Sequence, residues 1–257
     1  MTDEGFPRGS GPLVSVLLPT RARPDHLYQA VASLFANCQD RELVEYLIKA
    51  DDDDLPTLDL ARGMIQDGLN GKLLVGPRGR GYLDMHEWVN EMAREAQGDW
   101  LFLWNDDARI ATPAWDQILL HAAIGNDCPW HGVKDICMLV APTVGRPDAA
   151  EFAFVRRKIT EVLGHYSLNP HNDNWIYSVV CFVHAAFRTA VEVRHLSHSE
   201  EMPEDEVRRE VLKAYEVSGR NLNSTWAMRQ KLEDITKLVG YIEAHRGQVS
   251  KPFMGES

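Results

Sequence analysis

The chain has 257 residues, of which 44% are hydrophobic and 25% charged, a composition typical of globular proteins that bury a core. Its formal net charge of -11 disfavours a protein that coats nucleic acid by charge alone, although a local basic groove stays open. The longest apolar stretch, residues 175–187, is too short to span a bilayer. Residues 1–12 lack a signal pattern, so we expect a flexible N-terminus and a cytoplasmic protein.

Apolar runs alternate with helical patterns along the first half of the chain. Continuous apolar runs predict strands at 13–18, 43–49, 72–75, 100–104 and 136–142. Apolar residues at helical spacing predict helices at 25–35, 58–65, 82–97 and 113–124. Wholly apolar strands that alternate with helices are typical of a parallel sheet covered on both faces. We therefore expect an α/β fold with a mostly parallel sheet.

The second half of the chain has weaker patterns. They predict a helix at 155–163, a helix or a strand at 175–187, and an alternating strand at 190–196. Amphipathic patterns then predict helices at 204–217 and 225–245, the latter capped by Asn223 or Ser224. We expect residues 201–257 to be a helical extension that packs against the preceding domain or forms a homodimer.

Acidic residues follow two of the predicted strands. Asp51 to Asp54 come after the second strand, and Asn105, Asp106 and Asp107 come after the fourth. Ligands of open α/β sheets bind beyond the carboxyl ends of the strands, and oxygen donors suit Mg²⁺ or Mn²⁺. The alternatives are a solvated loop for the first cluster and a helix-capping turn for the second.

The order of these segments resembles that of family 2 glycosyltransferases of the GT-A fold. The resemblance is carried by PTRARPDHL, by the acidic end of the second strand, and by GPRGRGYLDMHEWVNEMAREAQGDWLFLWNDD. It is close over residues 13–115 and loose over 116–200, so we expect a GT-A domain at 13–200. The resemblance implies inverting transfer of a sugar from a nucleotide diphosphate, most often UDP, to an acceptor hydroxyl, with Mn²⁺ or Mg²⁺.

Carried onto this sequence, the resemblance implies a nucleotide-sugar site built from several loops. The residues it assigns to that site are Pro19, Thr20, Arg21, Asp51, Asp53, Arg78, Tyr82, Asn90, Asn105 and Asp106. Asp51 or Asp53 would accept a hydrogen bond from the base. Asn105 replaces the first acid of the family's DXD motif, which favours a ribose contact for it and leaves Asp107 as the metal ligand.

Further groups are implied for the metal and the acceptor. His195 and His198 follow the last strand, where the resemblance places a histidine that completes the metal site; polar surface histidines are the alternative. Trp130 and Trp175 are candidates for stacking on an acceptor sugar.

The catalytic base is implied to lie in a loop just before a helix in the second half of the domain. Asp173 fits this place, with Glu151 as the reserve candidate. Asp173 also precedes an apolar run, so capping of the following helix is an equally good interpretation of it.

Other functions stay open. A haloacid-dehalogenase-like phosphatase would use Asp51 and Asp53, but Leu55 stands where its motif has Thr or Val. A sugar-phosphate nucleotidyltransferase would need glycines that PTRARPDH lacks, whereas Asn105 keeps open a sugar-nucleotide-binding protein that has lost catalysis. The acceptor could be a glycan, a protein, a small molecule or a hydroxylated base, as in phage DNA-modifying glycosyltransferases.

Overall fold

A computed structural model describes residues 12–125, 132–196 and 222–246. Its centre is a seven-stranded sheet in the order β3-β2-β1-β4-β7-β6-β8. The strands are β1 Val14–Pro19, β2 Val44–Asp51, β3 Gly71–Gly76, β4 Trp100–Leu103, β6 Met138–Ala141, β7 Phe152–Arg156 and β8 Ala186–Arg188. All neighbouring pairs are parallel except those made by β7, which runs antiparallel to both β4 and β6. The mostly parallel sheet expected from the apolar runs is confirmed.

Two short strands form a separate antiparallel pair beside the main sheet. They are β5 Ala108–Ile110, which directly follows the acidic turn after β4, and β9 Val193–His195. In this pair Ala108 lies opposite His195. The backbone pairing therefore brings His195, from late in the chain, next to Asp107.

Seven helices cover the sheet in the described parts of the chain. They are α1 Pro24–Ala36, α2 Leu55–Gln66, α3 Met85–Glu95, α4 Trp115–Gly125, α5 Arg157–Leu163, α6 Asn172–Phe182 and α7 Thr225–His245. Single 3₁₀ turns at Arg41–Leu43 and Gly81–Asp84 precede β2 and α3. Ser224 caps α7 by accepting a hydrogen bond from the Ala227 N–H at 3.2 Å.

The strands divide the core in two because their side chains alternate between the faces of the sheet. On β1, for example, Val16 packs with Leu34 of α1, whereas Leu17 packs with Met92 of α3. Gly98, just before β4, has no room for a side chain, since a Cβ there would lie 2.6 Å from the Ser15 backbone nitrogen. This close approach brings the start of β4 next to β1, and the register of the two strands then determines where the acidic turn after β4 lies.

Three details differ from the sequence-based expectations. Residues 155 and 156 belong to β7, so the helix predicted at 155–163 is confirmed only for Arg157–Leu163. Residues 175–187 divide between the end of α6 and β8. Trp175 is fully buried, which excludes stacking on an acceptor sugar.

Several predictions concern residues outside the described parts of the chain. These are the flexible start at residues 1–11, Trp130, His198 and the helix at 204–217. The helix predicted at 225–245 is confirmed and packs against α5 and α6. It exposes Trp226, Met228 and Leu232, and its participation in a homodimer stays a prediction. None of the helices in the described residues is long and apolar enough to cross a membrane.

Candidate active site

Four parallel strands end at one edge of the sheet, and the loops that follow them form the candidate site. These strands are β1, β2, β3 and β4, which lie side by side. Crevices at such an edge are the usual ligand sites of open α/β sheets. The loops after β1, β2 and β4 supply charged groups that contact one another directly.

Asp106 is fixed by two residues of the loop after β1. The Thr20 hydroxyl donates a 2.8 Å hydrogen bond to Oδ2 of Asp106, and an Arg23 amino group lies 2.6 Å from Oδ1. Only 2% of Asp106 is exposed. Both carboxylate oxygens therefore have partners, and the side chain is held in one orientation. Arg23 was not among the predicted site residues.

Arg21 joins the loop after β1 to the acidic end of β2. Its guanidinium forms ion pairs with Asp51 and, at 3.0 Å, with Asp53. Asp51 is buried, and burial raises its pKa despite the opposing effect of Arg21. Asp53 is half exposed, and its hydrogen bond with Arg21 lowers its pKa. Arg78 reaches Asp53 from the loop after β3 at 4.0 Å.

The loop after β1 is held in an unusual backbone conformation. Ala22 has a φ of 53°, in the left-handed region that L-residues with a side chain seldom adopt. Its N–H donates a 2.6 Å hydrogen bond to Oδ2 of Asp54, and Oδ1 of Asp54 accepts from the Thr57 N–H at the start of α2. Such backbone strain is common where a loop must present groups to a ligand.

Asp107 belongs to a second cluster centred on His195. Nε2 of His195 lies 3.2 Å from Oδ1 of Asp107, and Nδ1 lies 3.1 Å from Oε2 of Glu151. Glu151 in turn pairs with Arg146 at 2.6 Å and accepts a hydrogen bond from Thr143. An imidazole thus lies between two carboxylates, one from the turn after β4 and one from the loop before β7.

The charges of this cluster are strongly coupled. Burial lowers the pKa of His195, but the hydrogen bonds and charges of Asp107 and Glu151 outweigh burial and raise it to about 9. For Asp107, burial raises the pKa and His195 lowers it, with a net decrease. Asp107 and Glu151 therefore favour the protonated form of His195.

Asp173 lies in the first turn of α6, within electrostatic range of this cluster. Burial raises its pKa to about 6, the charge of Glu151 acts in the same direction, and the charge of His195 acts in the opposite one. The residue that precedes α6 is His171, which makes no side-chain cap bond, whereas backbone hydrogen bonds at Asn174 and at Asp173 itself act to lower the pKa of Asp173. Both interpretations of Asp173, as a catalytic base and as a residue that interacts with the N-terminus of α6, stay predictions.

The loop after β3 reaches the start of α6. The Tyr82 hydroxyl lies 3.3 Å from Nδ1 of His171, and the two rings are 5.9 Å apart. His171 is two residues before Asp173, and burial lowers its pKa. Tyr82 therefore connects the predicted nucleotide loop to the segment that carries Asp173.

Asn90 is the predicted site residue that lies apart from both clusters. Its Oδ1 accepts hydrogen bonds from the backbone N–H groups of Tyr166 (2.7 Å) and Ser167 (3.1 Å). Its Nδ2 donates to the Ser167 carbonyl at 2.8 Å. Asn90 thus holds the loop before α6, whereas the resemblance had implied a nucleotide contact.

Pro19 and Asn105 are the two remaining residues of the predicted nucleotide-sugar site. Pro19 ends β1 and is buried, and Asn105 is partly exposed in the turn after β4, where its carbonyl accepts from the Ala108 N–H. Sequence reasoning missed His171 as well as Arg23, and it gave Glu151 only a reserve role. The signal for Arg23 was its position in PTRARPDH, two residues beyond Arg21.

Comparison with known proteins defines the class. Residues 15–194 match the model of glycosyl transferase family 2. Because this match spans more than half of the chain, the protein belongs to that family and is a glycosyltransferase. The match also disfavours the phosphatase interpretation of Asp51 and Asp53. A search of the curated proteins finds no match to the sequence.

Solved structures with a similar fold are GT-A glycosyltransferases. One is the mannosyltransferase PcManGT from Pyrobaculum calidifontis in complex with GDP-Man and Mn²⁺, with a TM-score of 0.57 and 14% identity over 95% of this chain and 77% of that chain. Another is S. aureus TarS 1-349, with a TM-score of 0.55 and 14% identity over 90% of this chain and 82% of that chain. TarS 1-349 in complex with UDP-GlcNAc matches with a TM-score of 0.51 and 14% identity over 93% of this chain and 76% of that chain. At these identities the likeness establishes the GT-A fold.

Proposed function

We propose that this glycosyltransferase moves a sugar from a UDP-sugar to an acceptor hydroxyl in a single inverting displacement that depends on Mn²⁺ or Mg²⁺. The observation that carries the proposal is the meeting of Asp107, His195 and Glu151 within electrostatic range of Asp173, beside the loops that hold Asp51 and Asp106. The GDP-Man, Mn²⁺ and UDP-GlcNAc in the solved structures of similar fold support a nucleotide-sugar donor.

The first cluster is suited to binding the nucleoside. Uracil presents one N–H between two carbonyl oxygens, so Asp51 would accept the N–H while Arg21 donates to a neighbouring carbonyl. Asp106, fixed by Thr20 and Arg23, would accept from the ribose hydroxyls. The ion pairs already present in the cluster reduce the ordering that nucleotide binding requires.

The second cluster fits a divalent metal held jointly by protein and donor. The described residues contain no group of three side chains disposed to hold an ion. Mg²⁺ and Mn²⁺ at phosphate sites commonly take one or two protein ligands, with phosphate oxygens and water supplying the rest. Asp107 is buried, and its Oδ1 lies 3.2 Å from Nε2 of His195, so the two side chains offer an oxygen and a nitrogen donor at one place. We assign the metal to Asp107 and His195, where it would stabilise the diphosphate leaving group as a Lewis acid.

Asp173 acts as the general base in this proposal. With a pKa of about 6 its carboxylate is ionised at pH 7 but still basic enough to accept a proton from an acceptor hydroxyl. The acceptor oxygen then bonds to the anomeric carbon while the bond from that carbon to the diphosphate oxygen breaks. The bonding electrons leave with UDP, and the proton stays on Asp173.

Calorimetry and turnover together test the proposal. Wild type, Asp173→Asn and Asp107→Asn would be titrated with UDP, GDP, ADP and CDP, each with Mn²⁺ and with EDTA, and UDP release from UDP-glucose and UDP-GlcNAc would be followed with water as acceptor. We expect Mn²⁺-dependent binding selective for UDP, weakened at least tenfold by Asp107→Asn. Asp173→Asn should keep UDP affinity and lose turnover at least 100-fold.

Asp148→Asn is the matched control. The side chain of Asp148 is fully exposed, so its substitution should change neither the affinity for UDP nor the turnover. If Asp173→Asn binds UDP and also keeps the turnover of the wild type, Asp173 is not the general base. If the wild type binds UDP but releases none from the UDP-sugars, the alternative suggested by Asn105 is favoured, namely a sugar-nucleotide-binding protein that has lost catalysis. The acceptor, the cytoplasmic location and the domain limits at residues 13 and 200 stay predictions.

A further inference from the structure

The C-terminal helix contributes a buried carboxylate to the catalytic domain. Asp234 of α7 is only 1% exposed. Its Oδ2 accepts a hydrogen bond from Nε1 of Trp175 at 3.1 Å, and its Oδ1 lies 3.1 Å from Nε2 of His165. The ammonium of Lys237 lies 3.6 Å from Oδ1 and donates to the Leu163 carbonyl. A buried carboxylate is costly unless such donors surround it, so its partners hold it firmly.

One partner of Asp234 lies in the helical turn that carries the proposed base. Trp175 is two residues after Asp173 and is fully buried. Two further residues of α7 lie near the Trp175 ring. The centroids of the Trp226 and Trp175 rings are 6.1 Å apart, and the Lys231 ammonium lies 5.6 Å from the centroid of the Trp175 ring. The Trp175 side chain therefore links the first turn of α6 to α7.

The other partner of Asp234 lies at the opposite end of the same segment. His165 begins the stretch 165–175, whose next two residues are held by Asn90 and whose middle meets Tyr82 through His171. The two oxygens of Asp234 thus connect the two ends of the stretch. Asp173 lies within it, without a direct contact to Asp234.

We propose that Asp234 is a positioning residue for sugar transfer, which fixes the placement of Asp173 by binding His165 and Trp175 at the two ends of its segment. The inference rests on the proposed role of Asp173. It extends the functional unit to α7, beyond residues 15–194 that match the family model. Displacement of a catalytic group by about 1 Å lowers rates by up to roughly 100-fold, so a contact remote from the chemistry has a large effect.

The variants remove this connection, and a matched control accounts for the change in volume. Trp175→Phe deletes the Nε1–H donor and keeps an aromatic side chain. Trp115→Phe is the matched control, because Trp115 is equally buried and donates a 3.1 Å hydrogen bond to the Leu34 carbonyl on the other face of the sheet. Asp234→Asn keeps an oxygen that accepts from Trp175, whereas Asp234→Ala removes it.

Three measurements are made on each full-length variant: kcat for UDP-sugar hydrolysis, the Kd for UDP with Mn²⁺, and hydrogen exchange of residues 165–176. We expect Trp175→Phe and Asp234→Ala to lower kcat about tenfold or more, leave the Kd for UDP within twofold, and accelerate exchange in 165–176. Asp234→Asn should restore most of kcat, and Trp115→Phe should leave kcat and exchange in that segment unchanged.

Equal exchange in 165–176 for Trp175→Phe and Trp115→Phe would overturn the inference, as would equal kcat for Asp234→Asn and Asp234→Ala. The exchange measurement does not depend on turnover. Lack of UDP binding by the wild type would instead contradict the proposed donor, so the two failures are distinguishable.

Discussion

Thr20 and Asp106 are joined by a 2.8 Å hydrogen bond across 86 positions of sequence. Thr20 follows β1 and Asp106 follows β4, two adjacent parallel strands. The bond fixes the relative position of two loops that we assign to the nucleoside. The parallel sheet thus brings together, at one edge, two loops that are far apart in the sequence.

Thr20→Val should weaken nucleotide binding. The substitution keeps the shape of the side chain and removes the donor, so Asp106 loses the hydrogen bond from Thr20 and about 1 kcal/mol of stability is lost with it. We expect the Kd for UDP to rise by roughly three- to tenfold in calorimetry. Thr160→Val is the control, since Thr160 is also buried but bonds only the Arg157 carbonyl in α5. Equal UDP affinity in the two variants would contradict a role for Thr20 in the site.

Asp51 and Asp53 should differ in importance although both pair with Arg21. Asp51 is buried at the end of β2, whereas the side chain of Asp53 is 47% exposed. Asp51→Asn replaces one acceptor oxygen by a donor next to Arg21, so we expect UDP affinity to fall at least tenfold. Asp53→Asn should change it less than threefold, because exposed ion pairs contribute little. Comparable losses in both variants would assign the base contact to the pair rather than to Asp51.

Asn90→Ala should separate a loop-holding role from a nucleotide contact. The side chain makes three hydrogen bonds with the backbone of Tyr166 and Ser167, and their loss should lower the free energy of unfolding by about 2 kcal/mol. The Kd for UDP should stay within twofold of wild type. In the control, Asn70→Ala, only one bond to the Val44 carbonyl is lost. A large rise in the Kd of Asn90→Ala would restore the nucleotide contact implied by the sequence resemblance.

The sequence predicts the sheet better than it predicts the second half of the site. Continuous apolar runs correctly locate β1 to β4, because buried parallel strands are apolar throughout and the candidate site residues follow them directly. β7 was missed because its last two residues, Val155 and Arg156, fall within the helical pattern of α5. The local sequence also gives no sign that Glu151 meets His195, since that contact depends on the pairing of β5 with β9.

Trp175 illustrates a different limit of sequence reasoning. An aromatic side chain near a predicted base suggests a sugar platform, but the ring is buried against α7. Which helix covers a given face is a property of tertiary packing, and α7 follows α6 by more than forty residues. The same long-range packing explains why Asp234 has no sequence signal.

The rate of transfer should depend on pH through Asp173. Because its pKa is raised to about 6, the carboxylate becomes protonated as the pH falls below that value and can no longer accept the acceptor proton. We expect kcat for UDP-sugar hydrolysis to fall about tenfold per pH unit below about pH 5.5 and to level off above pH 7. The profile of Asp173→Asn should lack this limb. A limb at the same position in the variant would identify another group as the base.

The same raised pKa predicts that Asp173 destabilises the folded protein at neutral pH. The folded state holds a proton on Asp173 up to about pH 6, whereas the unfolded chain releases it near the ordinary value of 3.8. Stability due to this group is therefore fully present below about pH 4 and is lost as the pH rises through 6. Asp173→Asn should raise the free energy of unfolding by roughly 1 to 2 kcal/mol at pH 7.5, allowing for partial solvent exposure. The difference should vanish near pH 4 in chemical denaturation, and a gain independent of pH would mean that the destabilisation has a cause other than the buried charge.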